Sequence, residues 1–240
     1  MNTQSARLGF DRFIALRWAN MALELAVAKQ DPNLAFQQLK EWLSKEIRGK
    51  ETARKTATQV RRLWFAEHDP YQTLRQQALD RDLAGNQAHW SLLHFGLALN
   101  VFPLLRDVCQ ITGRLLNLQT SCYRKDIYQR IQEKYGNPAS TGAATRHVFQ
   151  TLVDWGLVVE RGNEISVRAI SVDDTRLVQW MIVALMSARS AENLLLVDVL
   201  NAPELLGLRF QDARAAIHPS CCLQIERKLD IEMVVLKLSK

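Results

Sequence analysis

A predicted helix followed by two short alternating runs constrains the fold of this 240-residue chain more than any other feature. Apolar residues recur at helical spacing within residues 141–155, which predicts a helix there. Gly156 follows, and glycine ends helices because it adopts the left-handed conformation at little cost. The runs 157–160 and 164–168 flank Gly162 and Asn163, and this pattern predicts a β-hairpin.

Another helix is predicted just before this one, with Ser121 as its cap. Residues 136–140, Gly-Asn-Pro-Ala-Ser, have the composition of a turn between the two helices. Helix, short turn, helix and hairpin is the element order of a winged helix-turn-helix, whose second helix can enter the major groove of DNA. We therefore predict a central winged helix-turn-helix with a small β-hairpin over residues 119–170.

The second helix of this unit carries polar side chains on its predicted outer face that can reach base edges or phosphates. They are Arg146, His147, Gln150 and Thr151. Arg161 and Asn163 lie at the predicted hairpin tip, where a wing contacts the DNA backbone or minor groove. Winged helices also serve as protein-docking and dimerisation modules, and this helix is only modestly basic. Both interpretations remain open from the sequence.

Helical spacing recurs through residues 1–118, which predicts a helical N-terminal domain. Asp11 and Asp31 are the predicted caps of its first two helices, and Gly49 is the predicted end of the second. Residues 88–118 are largely apolar and are interrupted only by Pro103 and Gly113. This run predicts two core helices.

The most electropositive stretch is residues 45–62, with seven basic and two acidic side chains. A third helix is predicted over residues 51–67, with its cations opposite an apolar face. A basic stripe of this kind can follow phosphates and give salt-dependent affinity for DNA. The alternative is a solvated helix face. The candidate phosphate contacts are Arg48, Lys50, Arg54, Lys55, Arg61 and Arg62.

Positive charge is concentrated towards the start of the chain. The net charge is +6 overall, and residues 1–119 hold 16 basic and 11 acidic side chains. Residues 171–240 hold 8 basic and 9 acidic side chains, which indicates a packing or partner surface. Helices over 173–188, 191–200 and 210–217 predict a helical C-terminal region, and residues 232–238 fit either a strand or a last helix.

Patterns typical of enzymes and metal sites are lacking in the sequence. It has no phosphate-binding G-x-x-x-x-G-K-[ST] loop and no G-x-S-x-G nucleophile elbow, so we expect neither an enzyme nor a cofactor. His89 and His94 lie in an apolar run and are predicted to be core or helix-surface residues. His218, Cys221 and Cys222 do not have the spacing of a metal site, and no metal is expected.

The apolar runs fall short of the roughly 20 residues that a membrane-spanning helix needs. The first ten residues also lack the apolar core of a secretory signal. We therefore expect a cytoplasmic protein with no membrane partner.

The order of these parts resembles the BrxA family, the small helical proteins of BREX phage-defence systems. The likeness covers residues 10–170 and is one of layout. It rests on the basic stretch 48–63, the apolar helical run after it, and residues 149–157, Phe-Gln-Thr-Leu-Val-Asp-Trp-Gly-Leu. The resemblance implies a non-enzymatic DNA-binding component of a defence complex, working beside a methyltransferase and other large subunits. It supplies no catalytic residues.

The sequence as a whole predicts a mainly α fold in three parts, residues 1–118, 119–170 and 171–240. The predicted function is binding of double-stranded DNA within a BREX-like defence complex. The alternatives are a protein–protein interaction or scaffold subunit, and a winged-helix transcriptional regulator.

Overall fold

The computed structural model describes residues 9–28, 31–136, 139–217, 222–228 and 231–236, and within them the chain is mostly helical. The N-terminal part contains seven helices, with a short 3-10 turn at Gln87–His89 before the sixth. The helices are α1 (Leu16–Val27), α2 (Pro32–Glu46), α3 (Lys50–Trp64), α4 (Gln72–Ala78), α5 (Arg81–Ala84), α6 (Trp90–Val101) and α7 (Pro103–Leu116).

The predicted caps of the first two helices differ in outcome. Asp31 caps α2 as predicted, because its Oδ1 accepts hydrogen bonds from the backbone N–H groups of Asn33 and Leu34. The prediction for Asp11 is wrong, since α1 begins at Leu16. The backbone N–H of Asp11 instead donates to the Gln59 side chain, so a tertiary contact holds this segment outside a helix.

Gly49 precedes a helix rather than ending one. Helix α2 stops at Glu46, and Gly49 adopts φ 97° immediately before α3. The positive φ at this junction accounts for glycine there.

The apolar run forms two core helices, as predicted. The chain turns at Phe102, which has extended backbone, and α7 starts at Pro103. Gly113 does not interrupt α7; a Cβ there would lie 2.0 Å from the carbonyl oxygen of Pro203, so glycine permits a close backbone approach. No single helix among the described residues is long and apolar enough to cross a bilayer. The helical stretch 87–101 and α7 reach that length only as a pair bent by 108°.

The central part consists of a short strand, two helices and a hairpin. The elements are β1 (Cys122–Tyr123), α8 (Arg124–Tyr135), α9 (Ala139–Asp154), β2 (Val159–Arg161) and β3 (Glu164–Ser166). Strands β2 and β3 form the predicted antiparallel hairpin, and β1 adds to it in the order β1-β3-β2. Gly156 follows α9 at φ +76°, which confirms the predicted left-handed terminator.

Ser121 does not cap the first central helix. Tyr123 occupies the position before α8, while the Ser121 hydroxyl donates to the carboxylate of Glu164 on β3. The prediction that Ser121 caps this helix is wrong because strand β1 lies between Ser121 and α8. Its two residues pair with a strand 41 positions or more away, from Tyr123 to Glu164 and from Cys122 to Ile165.

The C-terminal part mixes helices with strands, which corrects the prediction of a helical region. The elements are β4 (Ile170–Val172), α10 (Thr175–Ala188), β5 (Asn193–Leu195), α11 (Leu196–Leu200), β6 (Leu208–Phe210), α12 (Ala213–Ala216), β7 (Leu223–Lys228) and β8 (Ile231–Leu236). Strands β4 and β6 pair in parallel, and β5-β8-β7 form an antiparallel sheet. The predicted helix α10 is present, with the Asp174 carboxylate accepting from the Leu177 N–H at 2.9 Å. Within the segment that fitted either a strand or a last helix, the described residues belong to strand β8.

Buried apolar residues form one cluster that runs through all three parts. The indole N–H of Trp155 donates to the carbonyl of Ile14 at 3.0 Å and joins α9 to the N-terminal segment. The indole N–H of Trp180 donates to the carbonyl of Leu74 at 3.1 Å and joins α10 to α4. The predicted boundaries near residues 118 and 170 stay a prediction.

Candidate nucleic-acid interface

Helix α3 separates its apolar and charged faces as predicted. Ala53, Ala57, Val60 and Trp64 are buried, whereas Arg54 is exposed and Lys55 is half-buried. The Arg54 guanidinium donates to Glu51 at 2.8 and 2.9 Å, and the Lys55 ammonium lies 3.5 Å from the same carboxylate. The hydrogen bonds from Arg54 lower the pKa of Glu51 to about 2. Part of the positive charge is therefore neutralised on the surface itself.

Arg61 and Arg62 are held by the protein's own groups. Arg62 donates to the Gly9 carbonyl at 2.7 Å, and its guanidinium lies 5.0 Å from the ring centroid of Phe102. Arg61 lies 4.8 Å from the ring centroid of Phe36. These two residues contribute charge to the surface, and Arg62 also fastens the N-terminal segment to α3.

Arg48 and Lys50 are exposed at the start of α3. Neither side chain has an ion-pair partner among the residues that the structure describes. They are the predicted phosphate contacts whose charge is least engaged.

Helix α9 presents Arg146 and Gln150 to solvent while Val148, Phe149 and Leu152 are buried. The prediction that Thr151 belongs to the outer face is wrong. Thr151 is fully buried, and its hydroxyl accepts a hydrogen bond from the Ile14 N–H at 3.0 Å.

His147 is half-buried beside the N-terminal segment. Burial lowers the pKa of its ring, the charges of Arg12 and Arg146 lower it further, and a hydrogen bond with the Asp11 backbone opposes them. His147 therefore lies against the protein's own chain, next to an exposed arginine.

Residues 9–16 bridge α3 and α9. On one side, Gln59 of α3 donates to the Arg12 carbonyl at 2.6 Å. On the other, the Leu16 N–H donates to the carboxylate of Asp154 at 2.6 Å, at the end of α9. A groove of about 250 Å³ at this junction is lined by Arg54, Lys55 and Arg62 together with Asp11. The two groups of predicted DNA contacts are thus linked by one short segment.

The hairpin tip is exposed and fixed to the start of α8. Arg161 and Asn163 are both exposed, and Gly162 between them has φ +61°. The carbonyl of Asn163 accepts a hydrogen bond from the Arg124 N–H at 2.9 Å. The position of the tip is therefore set by α8.

Sequence reasoning missed a groove of about 550 Å³ between α8 and the hairpin tip. We call it the hairpin groove. Arg124 lines it, and its guanidinium also forms an ion pair with Glu160 of β2. The other lining residues are Tyr123, Lys125, Tyr128, Gln129, Gln132 and Asn163. The signal in the sequence was the run Tyr-Arg-Lys at 123–125, which places an aromatic residue beside two cations.

No cluster of three His, Cys, Asp or Glu side chains suited to a metal ion occurs among the described residues. His218 and Cys221 of the weak candidate cluster lie outside those residues, and Cys222 is half-buried. His89 and His94 are both buried in the helical core.

No protein-family model, curated protein or solved structure matches this chain.

Proposed function

We propose that this protein is a non-enzymatic, double-stranded-DNA-binding component of a BREX-like phage-defence complex in the cytoplasm. The observation that carries the proposal is the bridge formed by residues 9–16. It ties α3, through Gln59 and Arg62, to the C-terminal end of α9, and Arg146 and Gln150 are exposed on that helix. A surface of this kind presents cations for phosphates beside side chains able to contact bases.

Residues 119–170 are the proposed winged helix-turn-helix. The order of short strand, two helices and hairpin in this segment, with sheet order β1-β3-β2, supports this assignment. In that assignment α9 is the recognition helix, and Arg146 and Gln150 face the major groove. Arg161 and Asn163 form the wing tip and contact the backbone or minor groove.

The cations of α3 supply a second, sequence-independent contact. Arg48 and Lys50 bind phosphates directly, because their charges are not neutralised by a neighbouring carboxylate among the described residues. Arg54 and Lys55 contribute less, since both share Glu51. The proposal that the protein works beside a methyltransferase and other large subunits rests on the resemblance to the BrxA family.

A second candidate function is an interaction or scaffold subunit. An apolar groove of about 350 Å³ in the C-terminal part favours it. Large apolar side chains are exposed there, including Val197 at 57% and Ile231 at 52%. Contiguous exposed apolar surface is typical of protein-binding sites.

Duplex DNA titrations separate the two functions. The affinity of the wild-type protein for a fluorescent duplex should fall steeply with salt, because counterions are released on binding. The double variant Arg146→Ala/Gln150→Ala should bind several-fold more weakly at every salt concentration. Arg176→Ala is the matched control, since Arg176 is also an exposed helical arginine but pairs with Asp82 away from α9.

Equal affinities for the control and the double variant would reject α9 as the recognition helix. A wild-type protein without measurable duplex binding would favour the scaffold function.

A further inference from the structure

We propose that the hairpin groove binds an unpaired nucleotide, at a single-stranded extension of the DNA that α9 holds. This inference rests on the proposed function for the placement of the DNA. It adds a ligand class, the exposed base of a single strand, that duplex binding alone does not require.

Tyr123 presents an aromatic ring in the groove. The residue is 55% exposed, and the Lys125 ammonium lies 5.6 Å from the ring centroid. Base pairs inside a duplex have both faces covered by neighbouring pairs, so the interior of duplex DNA offers no free base face to this ring. An unpaired base does, and stacking on an aromatic side chain is the common way of holding one.

The lining of the groove carries cations. No carboxylate is among the described lining residues, and Lys125 has no ion-pair partner in the part of the chain that the structure describes. Glu160 neutralises Arg124, so Lys125 is the main phosphate contact inside the groove. The acids Asp126 and Glu133 line an adjoining groove that shares Gln129 with this one, and the Gln129 amide donates to Glu133 at 3.1 Å.

The groove adjoins α9. The ring of Tyr128, which lines the groove, lies 6.2 Å from the ring of Phe149 on α9, measured between centroids. Burial raises the pKa of the Tyr128 hydroxyl, and the charges of Arg124 and Arg146 oppose that rise. Both guanidinium groups therefore lie within electrostatic range of a residue that lines the groove.

Neutral hydrogen-bonding groups and a wall fixed by ring stacking complete the groove. Gln129, Gln132 and Asn163 carry amides, and amides have donors and an acceptor that suit base edges. The Tyr128 ring is stacked on Phe149 with an interplanar angle of 7°, which holds this side of the groove in place. The volume of about 550 Å³ lies within the usual range of small-ligand sites.

The test compares three fluorescent DNA probes: a blunt duplex, the same duplex with a short single-stranded extension, and the free single strand. The wild-type protein should bind the extended duplex about 5- to 150-fold more tightly than the blunt one, the range expected for stacking of one base. Tyr123→Ala should abolish that preference and leave blunt-duplex affinity unchanged. Tyr123→Trp, which keeps an aromatic face, should retain it. Thermal melting of both variants checks that the fold is intact.

Each outcome has a separate meaning for the two proposals. Equal affinity of the wild-type protein for blunt and extended duplexes would overturn the groove proposal, even if duplex binding itself is confirmed. A preference that survives in Tyr123→Ala would also overturn it. Tyr123-dependent binding of the free single strand, with no binding of the blunt duplex, would support the groove and reject the duplex function.

Discussion

The indole N–H of Trp64 donates a hydrogen bond to Nδ1 of His94 over 3.0 Å, inside the core between α3 and α6. Because Nδ1 accepts, the ring proton lies on Nε2, which is 2.9 Å from the amide oxygen of Asn20. The ring of Trp155 packs against the other side of His94, with centroids 5.7 Å apart. The neutral imidazole thus joins α1, α3, α6 and the end of α9.

This arrangement predicts that stability falls on acidification. Burial lowers the pKa of His94 from 6.5 to about 3. Below pH 6.5 the unfolded chain therefore binds a proton at His94 that the folded chain does not bind. The contribution of His94 to stability is fully present above that pH. Between pH 6.5 and 5 this residue should remove about 2 kcal/mol of unfolding free energy. Urea denaturation at pH 7 and pH 5 measures the loss.

His94→Gln provides the control for this pH dependence. Glutamine can accept from Trp64 and donate to Asn20 but does not titrate. The variant should be less stable at pH 7. Its unfolding free energy should fall less steeply from pH 7 to pH 5, because unfolding takes up about one proton fewer. An identical pH slope in the two proteins would exclude His94 as the source.

The cations at the two ends of α3 should respond differently to substitution, with Arg48 and Lys50 at its start and Arg62 near its end. Arg48→Gln/Lys50→Gln should leave thermal melting unchanged, because both side chains are exposed and lack ion-pair partners among the described residues. In DNA titrations of this variant, the slope of log K against log salt concentration should become shallower by up to roughly 1.8, because two phosphate contacts are lost.

Arg62→Gln should instead lower the melting temperature, because it removes the bond to the Gly9 carbonyl and the contact with Phe102. Retained melting in Arg62→Gln would show that the N-terminal segment needs no such fastening. A full salt slope in the Arg48/Lys50 variant would exclude these two residues as phosphate contacts.

The contrast between these arginines marks how far sequence reasoning could go. Local patterns were sufficient for α3, for the hairpin and for the left-handed Gly156, because each depends on neighbouring residues. The destinations of individual arginines were not predictable. Arg62 reaches Gly9, Arg75 donates to the Leu63 carbonyl, and Arg106 donates to the Ala188 carbonyl.

Strands β4, β5 and β6 of the C-terminal part were missed for the same physical reason. Residues 193–195 pair with residues 233–235, so their strand conformation depends on a partner about 40 positions away. The candidate site follows this rule too. Gln150 and Arg161 were placed correctly on the surface by periodicity and turn chemistry. The hairpin groove depends on the contact of Asn163 with Arg124, which no local pattern encodes.

Glu204 should be the most sensitive acidic residue of the C-terminal part. Its side chain is 2% exposed and receives hydrogen bonds from Arg189 at 2.6 and 3.1 Å and from Gln110 at 3.0 Å. Burial raises the pKa of Glu204, but the hydrogen bonds from Arg189, the Glu204 backbone and Gln110, together with the charge of Arg189, outweigh it and the pKa is lowered. Its contribution is therefore present above its ordinary pKa and is lost as pH falls.

Glu204→Gln leaves the Arg189 guanidinium without a charged partner. Because Arg189 is 22% exposed, we expect a loss of about 3 kcal/mol, the lower end for breaking a buried ion pair. Urea denaturation at pH 7 measures it. A double-mutant cycle with Arg189→Met should show a coupling energy of at least about 1 kcal/mol. Additive effects of the two substitutions would contradict the ion pair's role.

Two glycines of the proposed winged helix give a matched pair for testing its geometry. A Cβ at Gly142, inside α9, would meet nothing within 4 Å, and the same holds at Gly156. Gly156 has φ +76°, whereas Gly142 has helical backbone. The two Gly→Ala substitutions therefore add the same group in open space and differ only in backbone conformation.

Gly142→Ala should stabilise the protein by about 0.5–1 kcal/mol, because alanine favours a helix over glycine. Gly156→Ala should destabilise it by roughly 1–2 kcal/mol, since an L-residue is strained in the left-handed region.

Arg161→Ala/Asn163→Ala should leave melting unchanged and weaken duplex binding, because both side chains are exposed at the tip. Melting and DNA titration of all three variants separate the two effects. Wild-type binding by the tip variant would mean that the hairpin is not a DNA-contacting wing, and the interaction-subunit function would then lead.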